Sequence, residues 1–172
     1  MLKYVYEDML SMVRHLPWSF ALGLPFAAIL LWGINFLRRR RGKAPAAALP
    51  VIAFGFYLSV LLIITFLSRE SGNKAGADFK LFSTWGINKR NNAFVIENVL
   101  LFLPFGFLGG WAFEAMRNVL CCTMLGAAVS VGIECLQLVT GRGFFQIDDI
   151  LTNTLGAFLG SLVFWLLRRM RK

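Results

Sequence analysis

Five apolar runs, each close to the length needed to cross a bilayer, constrain this chain more than any other feature. They occupy residues 17–37, 48–67, 94–115, 119–139 and 148–167. A hydrocarbon core of ~30 Å is spanned by about 20 helical residues, so each run reads as a transmembrane helix. Of the 172 residues, 58% are hydrophobic and only 16% charged, more apolar than a soluble domain tolerates. The expected class is therefore all-α: a polytopic bundle of about five transmembrane helices forming a single membrane domain over residues 1–172. The net charge of +9 raises nucleic acid as a partner. The basic residues, however, cluster beside the apolar runs as topology signals do, and no nucleic-acid binding is expected.

Those clusters set the expected orientation. Arg38, Arg39, Arg40, Arg41 and Lys43 follow the first run; Arg168, Arg169, Arg171 and Lys172 follow the last. A cleavable signal peptide carries its positive charge before the apolar run, so the first run is read as a retained anchor. Five spans then place the N-terminus outside and the C-terminus in the cytoplasm, in a multi-pass protein of the cell membrane. Residues 1–16 mix charged and apolar side chains at helical spacing and predict a short amphipathic helix at the interface. Residues 68–93 form the extracytoplasmic loop, with turn formers at Ser71, Gly72, Asn73 and Gly76. Its Phe79, Leu81, Phe82 and Trp85 leave two readings open, a piece dipping onto the membrane surface and a mobile loop. Pro104 is expected to kink the third helix, and Met116, Arg117 and Asn118 to turn it into an antiparallel hairpin with the fourth. Gly106/Gly110 and Gly156/Gly160 permit close helix approach, within one bundle or between copies. Cys121, Cys122 and Cys135 read as buried small apolar residues.

The polar residues of the later runs fall at one level. Ser130, Glu134 and Gln137 share one helical face, and Asp149, Asn153, Gly156 and Gly160 share another. With Glu97, Asn98, Arg142 and Asp148 they lie near the outer ends of their helices under the expected topology. Ionisable groups at the bilayer centre cost of order 2.5 kcal/mol or more, and less toward the interface. Asp148, Asp149 and Glu97, close to helix starts, can act as caps. Glu134 cannot, because at 1.5 Å per residue it lies ~10 Å inside its helix. Its structural reading is an ion pair with Arg142 that fastens the loop. Its functional reading is a carboxylate aimed at a headgroup or metal. Gln137 and Asn153 can join helices through their amides, but so many convergent polar groups exceed what helix association requires.

The blocks Asn98-Val-Leu-Leu-Phe-Leu-Pro104-Phe-Gly106, Glu134-Cys-Leu-Gln137, Gly141-Arg142 and Asp148-Asp149-Ile-Leu-Thr-Asn153-Thr-Leu-Gly156 resemble the successive motifs of the VanZ-like membrane protein family. The resemblance covers roughly Val60 to Trp165. Its founding member is associated with reduced sensitivity to teicoplanin, a glycopeptide bearing a fatty acyl chain. The resemblance thus implies a cell-envelope protein that lowers sensitivity to lipoglycopeptides. Similar proteins usually carry a further Asp shortly before the Asp pair, where this chain has Gln146.

The chemistry open to such a site is narrow. His15 is the only histidine, which argues against histidine-based phosphoryl transfer and His-ligated zinc. The cysteines have no basic neighbour in the polar layer, and no cofactor is expected. The leading reading is a binding protein for a lipid or lipid-linked headgroup. Its ligand-binding residues would be Asn98, Glu134, Gln137, Arg142, Asp148, Asp149 and Asn153, with Phe144 and Phe145 touching acyl chains. The expected partners are membrane lipids, a lipid-linked cell-wall precursor or a lipoglycopeptide. The alternative is a membrane enzyme with Glu134 or Asp149 as catalytic base, or with Mg²⁺ on Asp148, Asp149 and Glu97. A transporter ranks last, because no inverted repeat is visible.

Overall fold

The computed structural model describes residues 2–13, 16–67 and 76–171. His15 and the turn formers Ser71, Gly72 and Asn73 lie outside the described residues. Among the described residues, five helices are long and apolar enough to cross a membrane: Pro17–Arg40, Ala48–Phe66, Lys89–Ala112, Val119–Thr140 and Ile147–Met170. The chain is an all-α polytopic protein, in the order α1 (Leu2–Val13), α2 (Leu16–Arg40), α3 (Ala48–Leu62), α4 (Lys89–Ala112), α5 (Val119–Thr140) and α6 (Ile147–Met170). A π-helical turn, Ile63–Leu67, extends α3, and a 3₁₀ turn, Ala115–Arg117, joins α4 to α5.

Local chemistry explains where the helices begin and end. α4 starts earlier than hydropathy indicates, because Asn88 caps it by accepting from the Asn91 N–H at 2.8 Å. Its first turn, Lys-Arg-Asn-Asn, is polar and invisible to an apolar count. Glu97 therefore lies about two turns inside α4 and is no cap, a correction to the reading from the sequence. Asn118 caps α5 through the Cys121 N–H at 3.0 Å, and Gly141 ends it with φ of 64°, a left-handed conformation that glycine adopts without strain. α4 runs through Pro104 as one helix. There the Tyr57 hydroxyl donates to the Leu101 carbonyl at 2.8 Å, tying α3 to α4 beside the residue that lacks an N–H.

The tightest contact in the bundle joins α4 to α6. A Cβ at Gly106 would strike the Ala157 carbonyl; one at Gly156 would strike the Val99 carbonyl, and one at Gly160 the Leu103 carbonyl. The pairs Val99/Gly156, Leu103/Gly160 and Gly106/Ser161 rise together, so the two helices are parallel and packed backbone to backbone. Gly126 of α5 lies against the Ala157 side chain, which closes a three-helix core around Phe102, Phe105, Cys122 and Ile133. α3 adds Phe54 and Leu61 to that core. α2 packs on the far side of α3, where Gly55 meets Ala27 and Phe20 meets Phe56 at 5.0 Å between ring centroids. α1 rests on the start of α4, with Val5 buried and Tyr4 facing the Arg90 guanidinium. Of the cysteines, Cys122 is buried, Cys121 half-buried and Cys135 exposed. Reading all three as buried is corrected here, because the Cys135 face of α5 turns away from the bundle.

Two connections pair as strands: β1 (Gly76–Asp78) and β2 (Phe144–Gln146) run parallel, with Gly76 opposite Phe144 and Asp78 opposite Gln146. At this point the long loop is attached to the α5–α6 connection. The glycine contact yields a direct test. Gly160→Ala should lower stability by about 1–3 kcal/mol, because the added methyl meets a carbonyl that cannot rotate away. Gly132→Ala, where nothing lies within 4 Å, should be neutral or slightly stabilising. Thermal unfolding in detergent compares the two, and equal melting temperatures would refute the parallel α4–α6 contact.

Candidate functional site

The polar residues do gather at one end of the bundle, between α4, α5, α6 and the end of α3. Glu134, Gln137, Asp148 and Asn153 are buried, as are Ser130, Thr65 and Thr152 beside them. Asn98, Arg142 and Asp149 are half-buried. Each is positioned by the periodicity of its helix, so that Ser130, Glu134 and Gln137 descend one face of α5.

Much of the layer is satisfied by backbone. The Gln137 Nε2 donates to the Thr65 carbonyl at 2.8 Å, and the Arg142 Nη1 to the Phe66 carbonyl at 3.2 Å. Both acceptors belong to the π-helical turn at the end of α3, where the changed hydrogen-bond step presents carbonyls sideways. The Arg142 guanidinium also lies 4.9 Å from the Phe66 ring centroid. Glu134 Oε2 accepts from the Gln146 N–H at 2.9 Å, so this carboxylate reaches across to β2. Glu134 thus fastens the α5–α6 connection through the backbone of Gln146. Between α5 and α6 the Asn153 Nδ2 donates to the Ser130 hydroxyl at 2.9 Å. Between α4 and α6 the Asn98 Nδ2 donates to Asp149 Oδ1 at 2.8 Å.

Asp148 departs most from expectation. It sits in the first turn of α6, yet its carboxylate leaves its own helix and holds the loop that precedes α4. Oδ1 accepts from the Phe82 N–H at 2.7 Å. Oδ2 accepts from the Thr84 N–H at 2.9 Å and the Thr84 hydroxyl at 2.6 Å, with the Ser83 hydroxyl at 3.4 Å. Phe82 has φ of 60°, a left-handed conformation that costs a bulky residue of order 1–3 kcal/mol. The conformation persists because it turns successive N–H groups toward one anion, forming a nest. Asp78 completes the clasp: the Ser83 hydroxyl at 2.7 Å and the Lys80 N–H at 2.9 Å hold its carboxyl below the usual carboxylate range. Phe79 packs on Phe145 at 5.4 Å, and Phe144 lies over Gly76. The loop from 76 to 86 is thus seated on the bundle by side chains and strand pairing.

Two amide acceptors in the layer are left over. Gln137 Oε1 and Asn153 Oδ1 are buried and accept no hydrogen bond among the described residues. The orientation of Gln137 is unambiguous, because the Thr65 carbonyl can only accept and must face the NH₂ group. Asp148 and Asp149 diverge, one toward the loop and one toward α4. Among the described residues no three carboxylates, histidines or cysteines gather at metal-binding distance. Sequence reasoning missed Thr65, Phe66, Phe82, Ser83 and Thr84. A π-turn carbonyl has no side-chain signature, and only the cluster Phe82-Ser83-Thr84 opposite an acidic pair hinted at the nest.

The clasp predicts unequal effects at adjacent aspartates. Asp148→Asn must turn its NH₂ toward N–H donors, since both carboxylate oxygens are engaged, and should cost about 1.5–3 kcal/mol. Amide exchange at Phe82 and Thr84 should speed up at least tenfold. Asp149→Asn keeps an acceptor for Asn98 and should cost less. Hydrogen exchange followed residue by residue decides the matter; equal effects would remove the clasp.

The VanZ/LLP1 family profile matches residues 54–168, from within α3 to near the end of α6. Protein VanZ of Enterococcus faecium is 33% identical over 72 residues, 42% of this chain and 44% of that protein, so the match spans less than half of either. No solved structure matches. The chain belongs to the VanZ/LLP1 family.

Proposed function

We propose that this member of the VanZ/LLP1 family acts in the cell membrane, lowering sensitivity to lipoglycopeptides such as teicoplanin by binding a donor-rich headgroup in the polar layer. The observation that carries this reading is the pair of leftover acceptors, Gln137 Oε1 and Asn153 Oδ1. A buried acceptor without a donor costs about 1–3 kcal/mol, and the fold retains two of them beside the carboxylates of Glu134 and Asp149. One N–H of each amide is already committed, Gln137 to the Thr65 carbonyl and Asn153 to the Ser130 hydroxyl. What fits is a ligand rich in O–H and N–H groups, such as sugar hydroxyls, peptide amides or an ammonium. A lipid-linked cell-wall precursor and a lipoglycopeptide both present such groups next to an acyl chain, and the exposed Phe144 supplies an apolar neighbour. Binding is favoured over catalysis because Glu134, Asp148 and Asp149 each already hold a donor of the fold.

The basic clusters orient the protein, with Arg38–Lys43 and Arg168–Lys172 in the cytoplasm and the polar layer at the outer leaflet. A variant lacking Cys121, Cys122 and Cys135 and carrying Lys80→Cys should react with an impermeant thiol reagent in intact cells. Lys43→Cys in the same background should react only after lysis. The reverse pattern would invert the orientation.

For the binding site itself, Glu134→Gln keeps an acceptor for the Gln146 N–H but removes the charge, and Asn153→Ala removes a leftover acceptor. Each should fold and insert normally while weakening the ligand about tenfold, as loss of one good hydrogen bond does. Teicoplanin sensitivity is then expected to rise toward that of cells lacking the protein. Full resistance from both variants at normal membrane abundance would sink the proposal.

A further inference from the structure

At the ends opposite the polar layer, α4 and α6 enclose a cavity of about 360 Å³ lined by Phe107, Trp111, Phe164, Leu167, Arg168 and Arg171. Its floor depends on Gly110, where a Cβ would strike the Phe164 ring, which stands edge-on to Phe107 at 5.9 Å. One wall is apolar and opens outward, with Trp111 and Leu167 exposed. The other wall is cationic: Arg168, in the last turn of α6, and Arg171, just beyond it, border the cavity, and among the described residues no carboxylate lines it. Arg169 points elsewhere, its guanidinium 5.3 Å from the Trp165 ring centroid.

Neither orientation in the membrane nor the α6 dipole explains this arrangement. A topology signal needs only positive charge near the helix end, and any cation in the last turn favours the dipole. Neither requires two guanidinium groups at the mouth of an aromatic cleft. Two like charges so close repel, and an anion between them removes the repulsion.

We infer that this cavity binds an anionic phospholipid of the leaflet at that end of the bundle. The phosphate sits between Arg168 and Arg171, and the start of an acyl chain lies against Phe107, Trp111, Phe164 and Leu167. The guanidinium fork matches phosphate oxygens in pairs. Basic pockets between spanning helices receive acidic headgroups, and Trp111 stands where indole rings favour the interface. The volume falls at the lower end of ligand pockets, about 300–1,000 Å³, enough for a headgroup and the first methylenes while the remaining chain stays in the membrane. This site is independent of the polar layer, which lies at the other end of the same two helices.

Native mass spectrometry of the full-length protein in detergent tests the inference, with phosphatidylglycerol or phosphatidylcholine carrying the same acyl chains. The wild type should retain phosphatidylglycerol about tenfold more strongly. Arg168→Gln/Arg171→Gln should abolish that preference, whereas Arg169→Gln, which removes an equal charge one residue away, should keep it. Trp111→Ala should weaken both lipids alike, because it acts on the chain and leaves the phosphate contact intact. The single variants Arg168→Gln and Arg171→Gln carry the same comparison if the double variant fails to fold. Equal retention of the two lipids by the wild type, or equal loss in Arg169→Gln, would overturn the inference. So would full displacement of phosphatidylglycerol by inorganic phosphate, which would assign the arginines to a free anion.

Discussion

The parallel contact between α4 and α6 governs the rest of the fold, because it fixes both rotation and register. Once Gly156 sits on the Val99 carbonyl and Gly160 on the Leu103 carbonyl, neither helix can turn or slide without a backbone collision. That register places Asn98 beside Asp149, about two turns outward from Gly156, and the observed 2.8 Å bond follows. It also aims Asn153 at α5, where Ser130 receives it. Helices in lipid gain little from excluding water, so close packing and polar contacts decide how they associate. Here the two devices reinforce each other, since the glycines bring the backbones near enough for short amides to bridge.

Burial of so many polar groups explains why this end of the bundle is built from irregular backbone. Loop structure at membrane depth is tolerated only where protein covers it. The π-turn after α3 offers the Thr65 and Phe66 carbonyls, β2 offers the Gln146 N–H, and the nest at Phe82 and Thr84 offers two more donors. Glu134, Gln137 and Asp148 meet these groups from regular helices and Arg142 from the α5–α6 connection, so helices and cap stabilise each other. Asp148 is central to this exchange. Four donors converge on one carboxylate, and without it the left-handed Phe82 would have nothing to offset its strain.

What the sequence could convey follows from the same physics. Long apolar runs reported the spanning helices, since nothing but a membrane or a buried core favours them, and a three-to-four-residue period gathered Ser130, Glu134 and Gln137 on one face. The start of α4 was hidden because its first turn is polar and its cap, Asn88, lies outside the apolar run. The partners of the layer were hidden for a different reason. Glu134, Gln137, Arg142 and Asp148 bind main-chain atoms, and a main-chain atom has no letter in the sequence. The Gln146 N–H that Glu134 holds could not be read from the letters, whereas the charges of Glu134 and Arg142 could. The strands β1 and β2, three residues each, are too short for any alternation to stand out.

The two glycine pairs, alike as motifs, serve different ends. Gly106, Gly156 and Gly160 are empty so that backbone can approach backbone, whereas Gly110 is empty so that the Phe164 ring can enter. α4 and α6 are therefore clamped in the middle, where peptide meets peptide, and spaced by an aromatic ring at the arginine-bearing end. Spacing there leaves the cavity of about 360 Å³ that Arg168 and Arg171 border. At the other end the same pair is held by Asn98 and Asp149. A helix pair clamped centrally and differentiated at its ends presents distinct chemistry to the two leaflets: acceptors and carboxylates on one side, guanidinium groups and indole on the other. One packing register sets both, so a substitution that shifts α6 along α4 disturbs them together.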